Sequence, residues 1–289
     1  MNEYQNKLLE MLSAESKVIV MLAPSFVIDF PHPQIVGMLK KMGFEKVVEL
    51  TFGARMTNYW YVEYIKQNPD QKYYITSPCP IVVAMVKNKF PDLVQYLLPY
   101  ASPVYAMSKI CKKYYPDHKI VFISPCQAKR VLEAPKYPEF IDLVITFKEL
   151  KEIFENQGIK VDDFTEKEYP FDSFVTEVNK IYPISGGLAQ TAHIKNLFKP
   201  EEIFITDGVP NINKVLSQMQ SGATPYRFID ILNCPGGCIG GPDIVNKNLS
   251  IEEKKDRIIT YRDKSIIDTE DATEGKKEFV LDIDFKAKL

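Results

Sequence analysis

Four of the five cysteines in this 289-residue chain stand in turns made of proline and glycine. Cys79 lies between Pro78 and Pro80, and Cys126 follows Pro125. Cys234 and Cys238 enclose Pro235, Gly236 and Gly237. Proline fixes a turn and withholds an amide donor, and glycine lets the backbone approach whatever the thiolates hold. Soft thiolates converging from separate turns suit an iron–sulfur cluster or a tetrahedral zinc ion. The spacing matches neither the paired Cys-x-x-Cys knuckles of a zinc ribbon nor a ferredoxin run. Separately buried structural cysteines remain the plain alternative, and Cys111, inside a helical pattern with no turn beside it, reads as packing. His32, His118 and His193 are scattered and have no partner at metal spacing.

Each cysteine turn follows an apolar run that reads as a strand: residues 73–76 before Cys79, 119–123 before Cys126 and 228–232 before Cys234. Further strands are expected over 17–22, 46–50, 143–146 and 203–206. Helical spacing is expected over 1–16, 35–42, 57–67, 107–115, 147–155 and 212–220, with Gly43 stopping the second of these. Residues 82–87 and 93–98 read as helical or irregular, and 184–188 as a turn opening a helix. This alternation predicts an α/β fold of parallel or mixed sheet flanked by helices. Ligands in such sheets sit at the carboxyl ends of strands, where Cys79 and Cys126 fall.

Hydrophobic residues make up 45% and charged residues 26%, so the chain buries a sizeable core. Its formal charge of -2 lacks the basic excess of a nucleic-acid coat. No run approaches the roughly 18 apolar residues of a membrane span, and the first residues lack a signal-peptide pattern; a cytoplasmic protein is expected. An odd number of cysteines points to metal or redox chemistry rather than a disulfide framework. Residues 1–289 are read as one domain, with approximate lobes 1–133 and 134–245 and a C-terminal extension 246–289. In that extension a helix is expected, and Glu270 and Asp271 read as solvated surface.

The cysteine segments resemble the three signature motifs of the iron-only ([FeFe]) hydrogenase catalytic domain. Thr76-Ser77-Pro78-Cys79-Pro80 resembles Thr-Ser-Cys-Cys-Pro, and Ser124-Pro125-Cys126-Gln127-Ala128-Lys129 resembles Met-Pro-Cys-x-x-Lys. Cys234 to Cys238, with Gly240 and Gly241, resembles Cys-x-x-x-Cys and its glycine-rich sequel. The likeness runs over about residues 18–245. It implies two α/β lobes with a metal cofactor, the H-cluster, in the cleft between them. A [4Fe-4S] cubane would be held by Cys79, Cys126, Cys234 and Cys238. Cys238 would bridge to a diiron subcluster carrying carbonyl (CO), cyanide (CN) and dithiolate ligands. Lys129 would hydrogen-bond one cyanide, Pro24 and Ser25 would cradle the other, and Ser102 and Pro103 match a further pocket-lining pair.

The departures fall on the family's proton relay. Its cysteine is Pro78 here, its two glutamates are Tyr61 and Tyr64, and its serine is Leu98. Glu63, one residue off, is the expected partial substitute. A glutamine near the bridging carbonyl is Val104, two pocket methionines are Ser124 and Leu232, and the second motif's glutamate is displaced to Glu133. Proton delivery needs a titratable group within hydrogen-bond reach. The resemblance therefore implies slow, reversible oxidation of hydrogen or reduction of protons, as in the family's sensory branch. The implied partners are an iron–sulfur electron donor or acceptor, maturation proteins and a separate signalling partner. The other reading is a non-enzymatic [4Fe-4S] protein for electron transfer or iron–sulfur assembly, without the diiron unit.

Overall fold

The computed structural model describes residues 1–14, 17–100, 102–164, 169–267, 280 and 282–286. Glu270 and Asp271, and the end of the expected first helix at 15–16, lie outside the described residues. In chain order the elements are α1 (Glu3–Ser13), β1 (Val18–Leu22), α2 (Gln34–Lys41), β2 (Lys46–Glu49), α3 (Thr51–Gln67), β3 (Tyr74–Ile75), α4 (Pro80–Lys89) and α5 (Pro103–Tyr114). They continue with β4 (Lys119–Ser124), β5 (Leu143–Thr146), α6 (Phe147–Gln157), α7 (Gly187–Thr191), β6 (Ile203–Asp207), α8 (Val209–Gln220), β7 (Phe228–Leu232) and α9 (Ile251–Ile267). Short 3-10 turns fill several connections, including Pro24–Ile28 and Glu177–Ile181.

Two sheets form, both wholly parallel. The first has the order β2-β1-β4-β5 and the second β3-β7-β6. Their strands read as continuous apolar runs because helices cover both faces, as parallel sheets require. Every residue of β1 and β7 is buried. Sheet membership does not follow the expected lobe border at 133/134. β3, from the first half, pairs with β7, and β5, from beyond residue 134, completes the first sheet on β4. The chain therefore crosses between the sheets more than once, and the cysteine turns belong to both.

Two helices start earlier than their periodicity suggests. α3 begins at Thr51 rather than 57. Gly53 there is a packing residue rather than a breaker, since a Cβ on it would lie 2.4 Å from the Pro103 carbonyl of α5. α5 begins at Pro103, with Ser102 as its N-cap accepting from the Val104 N–H at 3.2 Å.

α9 is a packed strap. It lies on the turns Pro24–Ile28 and Glu177–Ile181. Its Tyr261 hydroxyl donates to Glu49 Oε1 at 2.9 Å, and its Arg257 donates to the Ile28 carbonyl at 2.8 Å. Glu49 is fully buried at the end of β2, with Lys180 Nζ 4.0 Å away. Burial pushes the Glu49 carboxyl up to about 7, against the opposing pull of Lys180 and Tyr261. No helix among the described residues is long and apolar enough to cross a membrane.

The Glu49 carboxyl binds a proton more tightly folded than unfolded. Its ionisation therefore removes stability as pH rises from about 4.5 to about 7. Relative to Glu49→Gln, the protein should lose about 2–3 kcal/mol across that window. Urea denaturation at pH 4.5 and pH 7.5 checks this; a constant difference between the two proteins contradicts it.

Candidate metal centre

Three cysteine turns leave the carboxyl ends of strands in two sheets. In the second sheet β3 and β7 are neighbours, so the Cys79 and Cys234 turns lie side by side. The Thr76 N–H donates to the Ile229 carbonyl at 3.0 Å, and the Ile231 N–H donates to Thr76 Oγ1 at 3.2 Å. In the first sheet β1 and β4 are neighbours, and the Ala23 N–H donates to the Ile123 carbonyl at 3.2 Å. Pro24 and Ser25, just past β1, thus lie beside the Cys126 turn. Cys79 is itself the N-cap residue of α4, with Pro80 in that helix's first turn.

Direct bonds tie the two sheets' turns together. Lys129 Nζ donates to the Pro78 carbonyl at 2.9 Å, joining the second motif to the first. The Asp243 N–H donates to the Pro125 carbonyl at 3.0 Å, and Asp243 Oδ2 accepts from the Gln127 N–H at 2.9 Å, joining the third motif to the second. A Cβ on Gly241 would lie 2.6 Å from the Pro125 carbonyl oxygen, so no side chain fits there. Gly240 meets the Pro235 carbonyl in the same way, at 2.0 Å. The glycines after Cys238 therefore let backbone segments approach one another closely.

The thiols form one electrostatic unit. Burial pushes the Cys126 thiol up to about 11, and Cys234 and Cys79 push it further while the Ala128 N–H and Lys129 oppose. Burial also raises Cys238, with Cys79, Cys234 and Cys126 adding to it and Lys129 opposing. Cys234 is raised by burial and by Cys79, against the Asn233 amide. Ionised together, these thiols would repel one another, so holding them as thiolates calls for cations, which a bound metal supplies. Among the described residues no three His, Cys, Asp or Glu are grouped closely enough to hold a single ion. A cubane is wider than an ion: each corner iron takes its own thiolate. Cys111 is fully buried in α5, and burial alone pushes its thiol up to about 12.

Orphaned polar atoms lie on segments that adjoin the cysteine turns. Ser25 is fully buried and its hydroxyl has no hydrogen-bond partner. The same holds for Asn233 Oδ1, beside Cys234, and for the Tyr182 hydroxyl. An unsatisfied buried polar group is costly; the Ser25 and Tyr182 hydroxyls can donate to sulfur or anionic ligands of a cofactor, whereas Asn233 Oδ1 can only accept.

Glu133, read from the sequence as a displaced motif residue, has a definite place. The π-turn Lys129–Glu133 puts it on the same side as Lys129, with which it forms an ion pair at 2.5 Å. It also accepts a hydrogen bond from the Ser102 hydroxyl. Ser102 and Pro103 are thus an N-cap pair for α5 as well as neighbours of Lys129's partner. Two of the three Lys129 donors are used in this way, by Pro78 and Glu133.

Glu63 does not join the site. It pairs with Lys66 one turn along α3, at 2.9 Å, on a partly exposed face. Tyr61, two residues earlier and fully buried, points instead to the first motif: it contacts Ser77 Oγ at 2.8 Å and accepts from the Ser77 N–H at 3.1 Å. At about 100° per residue, two positions separate these side chains by more than half a turn. Tyr64 reaches Gln71 at 3.1 Å. His32 stacks on Phe171 and His118 faces Glu45; neither contacts a cysteine turn.

Two parallel sheets flanked by helices, with three cysteine turns at strand ends, are the architecture of a hydrogenase-type domain. Residues 16–242 match the family described as "Iron only hydrogenase large subunit, C-terminal domain", and the chain belongs to that family. Iron hydrogenase 1 of Clostridium pasteurianum is 26% identical over 302 residues, covering 84% of this chain. The chain spans 52%, about half, of that relative's length. Nuclear prelamin A recognition factor of Xenopus laevis is 22% identical over 136 residues, 35% of this chain and 29% of that protein. Among solved structures, the apo [FeFe]-hydrogenase HydA1 from Chlamydomonas reinhardtii superposes with a TM-score of 0.70 at 19% identity. That match covers 90% of this chain and 88% of the other, and shows a common fold.

Breaking the Lys129–Glu133 pair leaves a buried, uncompensated charge. Glu133→Ala should therefore cost about 2–4 kcal/mol of stability. Chemical denaturation measures it; a loss below about 0.5 kcal/mol, the size of a surface effect, contradicts the buried-pair description.

Proposed function

We propose that the chain binds an H-cluster and interconverts hydrogen with protons and electrons slowly, in a sensing rather than a high-flux role. The observation that supports this reading is that the turns bearing Cys79, Cys126 and Cys238 are hydrogen-bonded to one another, with the Lys129 ammonium on the Pro78 carbonyl and the buried Ser25 hydroxyl left without a partner. Cys79, Cys126, Cys234 and Cys238 hold a [4Fe-4S] cubane, and Cys238 also serves the diiron unit. Lys129, through its remaining donor, and Ser25, beside Pro24, bind the anionic ligands of that unit. Bound there, the cofactor supplies the Lewis-acid and redox chemistry that cleaves hydrogen.

The chain's own residues explain why turnover is slow. Pro78 offers no proton where the family carries a thiol. Behind it, Tyr61 fills the space of a carboxylate. Burial raises the Tyr61 phenol far above neutrality, so it stays protonated and does not exchange protons as a general acid or base. Ser77, which Tyr61 contacts, donates to the Leu98 carbonyl at 2.7 Å. This hydroxyl pair is a fixed structural plug. Electrons come from an iron–sulfur protein or domain outside these 289 residues, which beyond the four cluster cysteines have only Cys111. Maturation proteins supply the diiron unit, and a separate partner reads the signal.

After anaerobic reconstitution, serine replacement of Cys79, Cys126 or Cys234 should lower bound iron several-fold, while Cys111→Ser leaves it unchanged. Iron assay with spin resonance decides this, and equal iron in all four variants rejects the ligand assignment. In protein loaded with the complete cofactor, Pro78→Cys restores a titratable group and should raise hydrogen turnover by about 10²-fold. Unchanged turnover with intact cofactor would show that proton delivery is not the limiting defect.

A further inference from the structure

Tyr182 is the buried polar group that the site as described leaves unused. It is 9% exposed, and its hydroxyl is fully enclosed with no hydrogen-bond partner. The backbone around it is held against the third motif. The Cys238 N–H donates to the Pro183 carbonyl at 2.8 Å, and the Ser185 N–H donates to the Gly236 carbonyl at 3.0 Å. Ile184 and Gly237 form an antiparallel bridge. Two glycines permit this contact: a Cβ on Gly237 would lie 2.5 Å from the Pro183 carbonyl, and one on Gly187 would lie 2.0 Å from the Ile181 carbonyl and 3.1 Å from Tyr182 Cα. Tyr182 is therefore clamped from one side by α7 and from the other by the Cys238 turn.

The charges that act on its hydroxyl are those of Tyr61, Asp230 and Cys238. The first two are already engaged. Tyr61 is bonded to Ser77. Asp230 accepts from the Ala189 N–H at 3.1 Å and from Thr76 at 3.4 Å. An enclosed phenol without a partner loses its hydration for nothing in return, and Cys238 marks the side on which an acceptor is still wanting.

We propose that Tyr182 is a positioning residue whose hydroxyl donates a hydrogen bond to the sulfur of the cluster held at Cys238. This rests on the cubane assignment above and adds a redox role to it. Hydrogen bonds to cluster sulfur favour the reduced, more negative state and so raise the potential.

The test uses the full chain reconstituted with the cubane alone, titrated redox-wise under spin resonance. Tyr182→Phe, which keeps the ring and removes only the hydroxyl, should lower the midpoint potential. The expected change in the reduction equilibrium is about tenfold, which is about 59 mV for one electron. Replacing Tyr182 with 3-fluorotyrosine, a stronger donor of the same shape, should move the potential the opposite way. It decides the matter if the phenylalanine variant fails to fold. A normal cubane signal with an unmoved potential in the folded variants overturns the inference and leaves the cubane assignment standing. Absence of the signal from the unsubstituted protein overturns both.

Discussion

The carbonyl of Pro125 is where the two sheets' contributions to the site are joined. It accepts the Asp243 N–H at 3.0 Å, and Gly241 lies against it so closely that a single methyl would not fit. Cys126 follows Pro125 at the end of a first-sheet strand, while Cys238 precedes Gly241 in the loop after a second-sheet strand. Without this contact the four thiols would belong to two separate surfaces. Lys129 adds the second tie by reaching the Pro78 carbonyl, so each cysteine turn is bonded to a turn of the other sheet. A multi-iron cofactor needs its ligands held apart yet fixed relative to one another. Hydrogen bonds between turn backbones meet that need better than flexible side chains.

The same turns hold the electrostatics. Burial makes the Cys126, Cys234 and Cys238 thiolates unfavourable, and neighbouring thiolates worsen it. Lys129 is the cation that opposes this for both Cys126 and Cys238, and Glu133 and Ser102 in turn fix Lys129 in place. The ligand-holding side is thus built of charged, mutually oriented groups. The side where the family passes protons is built of a proline, a buried tyrosine and a serine bonded to a carbonyl. Under the proposed function, the ligand-holding half of the machinery is kept and the other half offers no group that exchanges a proton near neutrality, a combination suited to binding hydrogen more than to turning it over.

Much of this was legible in the sequence, because parallel strands buried on both faces are short apolar runs and each ended at a cysteine turn or a helix start. All seven strands fall where expected, within a residue or two. Strand partners were not legible: β3 and β5 each pair with strands from the other part of the chain, and periodicity carries no information about that. The starts of α3 and α5 were not legible, because Gly53 serves there as a helix contact and Pro103 as an N1 residue, neither of which apolar periodicity records. Glu63 was a neighbour in sequence only, since helical rotation turns it away from Tyr61. Tyr182 carried no motif at all. Its place depends on two glycines whose close approach is visible only in three dimensions.

Infrared spectroscopy of the anaerobically reconstituted protein, after addition of a synthetic diiron precursor, tests the central claim most directly. The carbonyl and cyanide stretches report the diiron unit and its protein surroundings at once. Sharp, protein-bound bands that shift under hydrogen are the predicted result. A cubane visible by spin resonance, with no protein-bound carbonyl bands, would contradict the account and leave a cubane-only protein of electron transfer or iron–sulfur assembly.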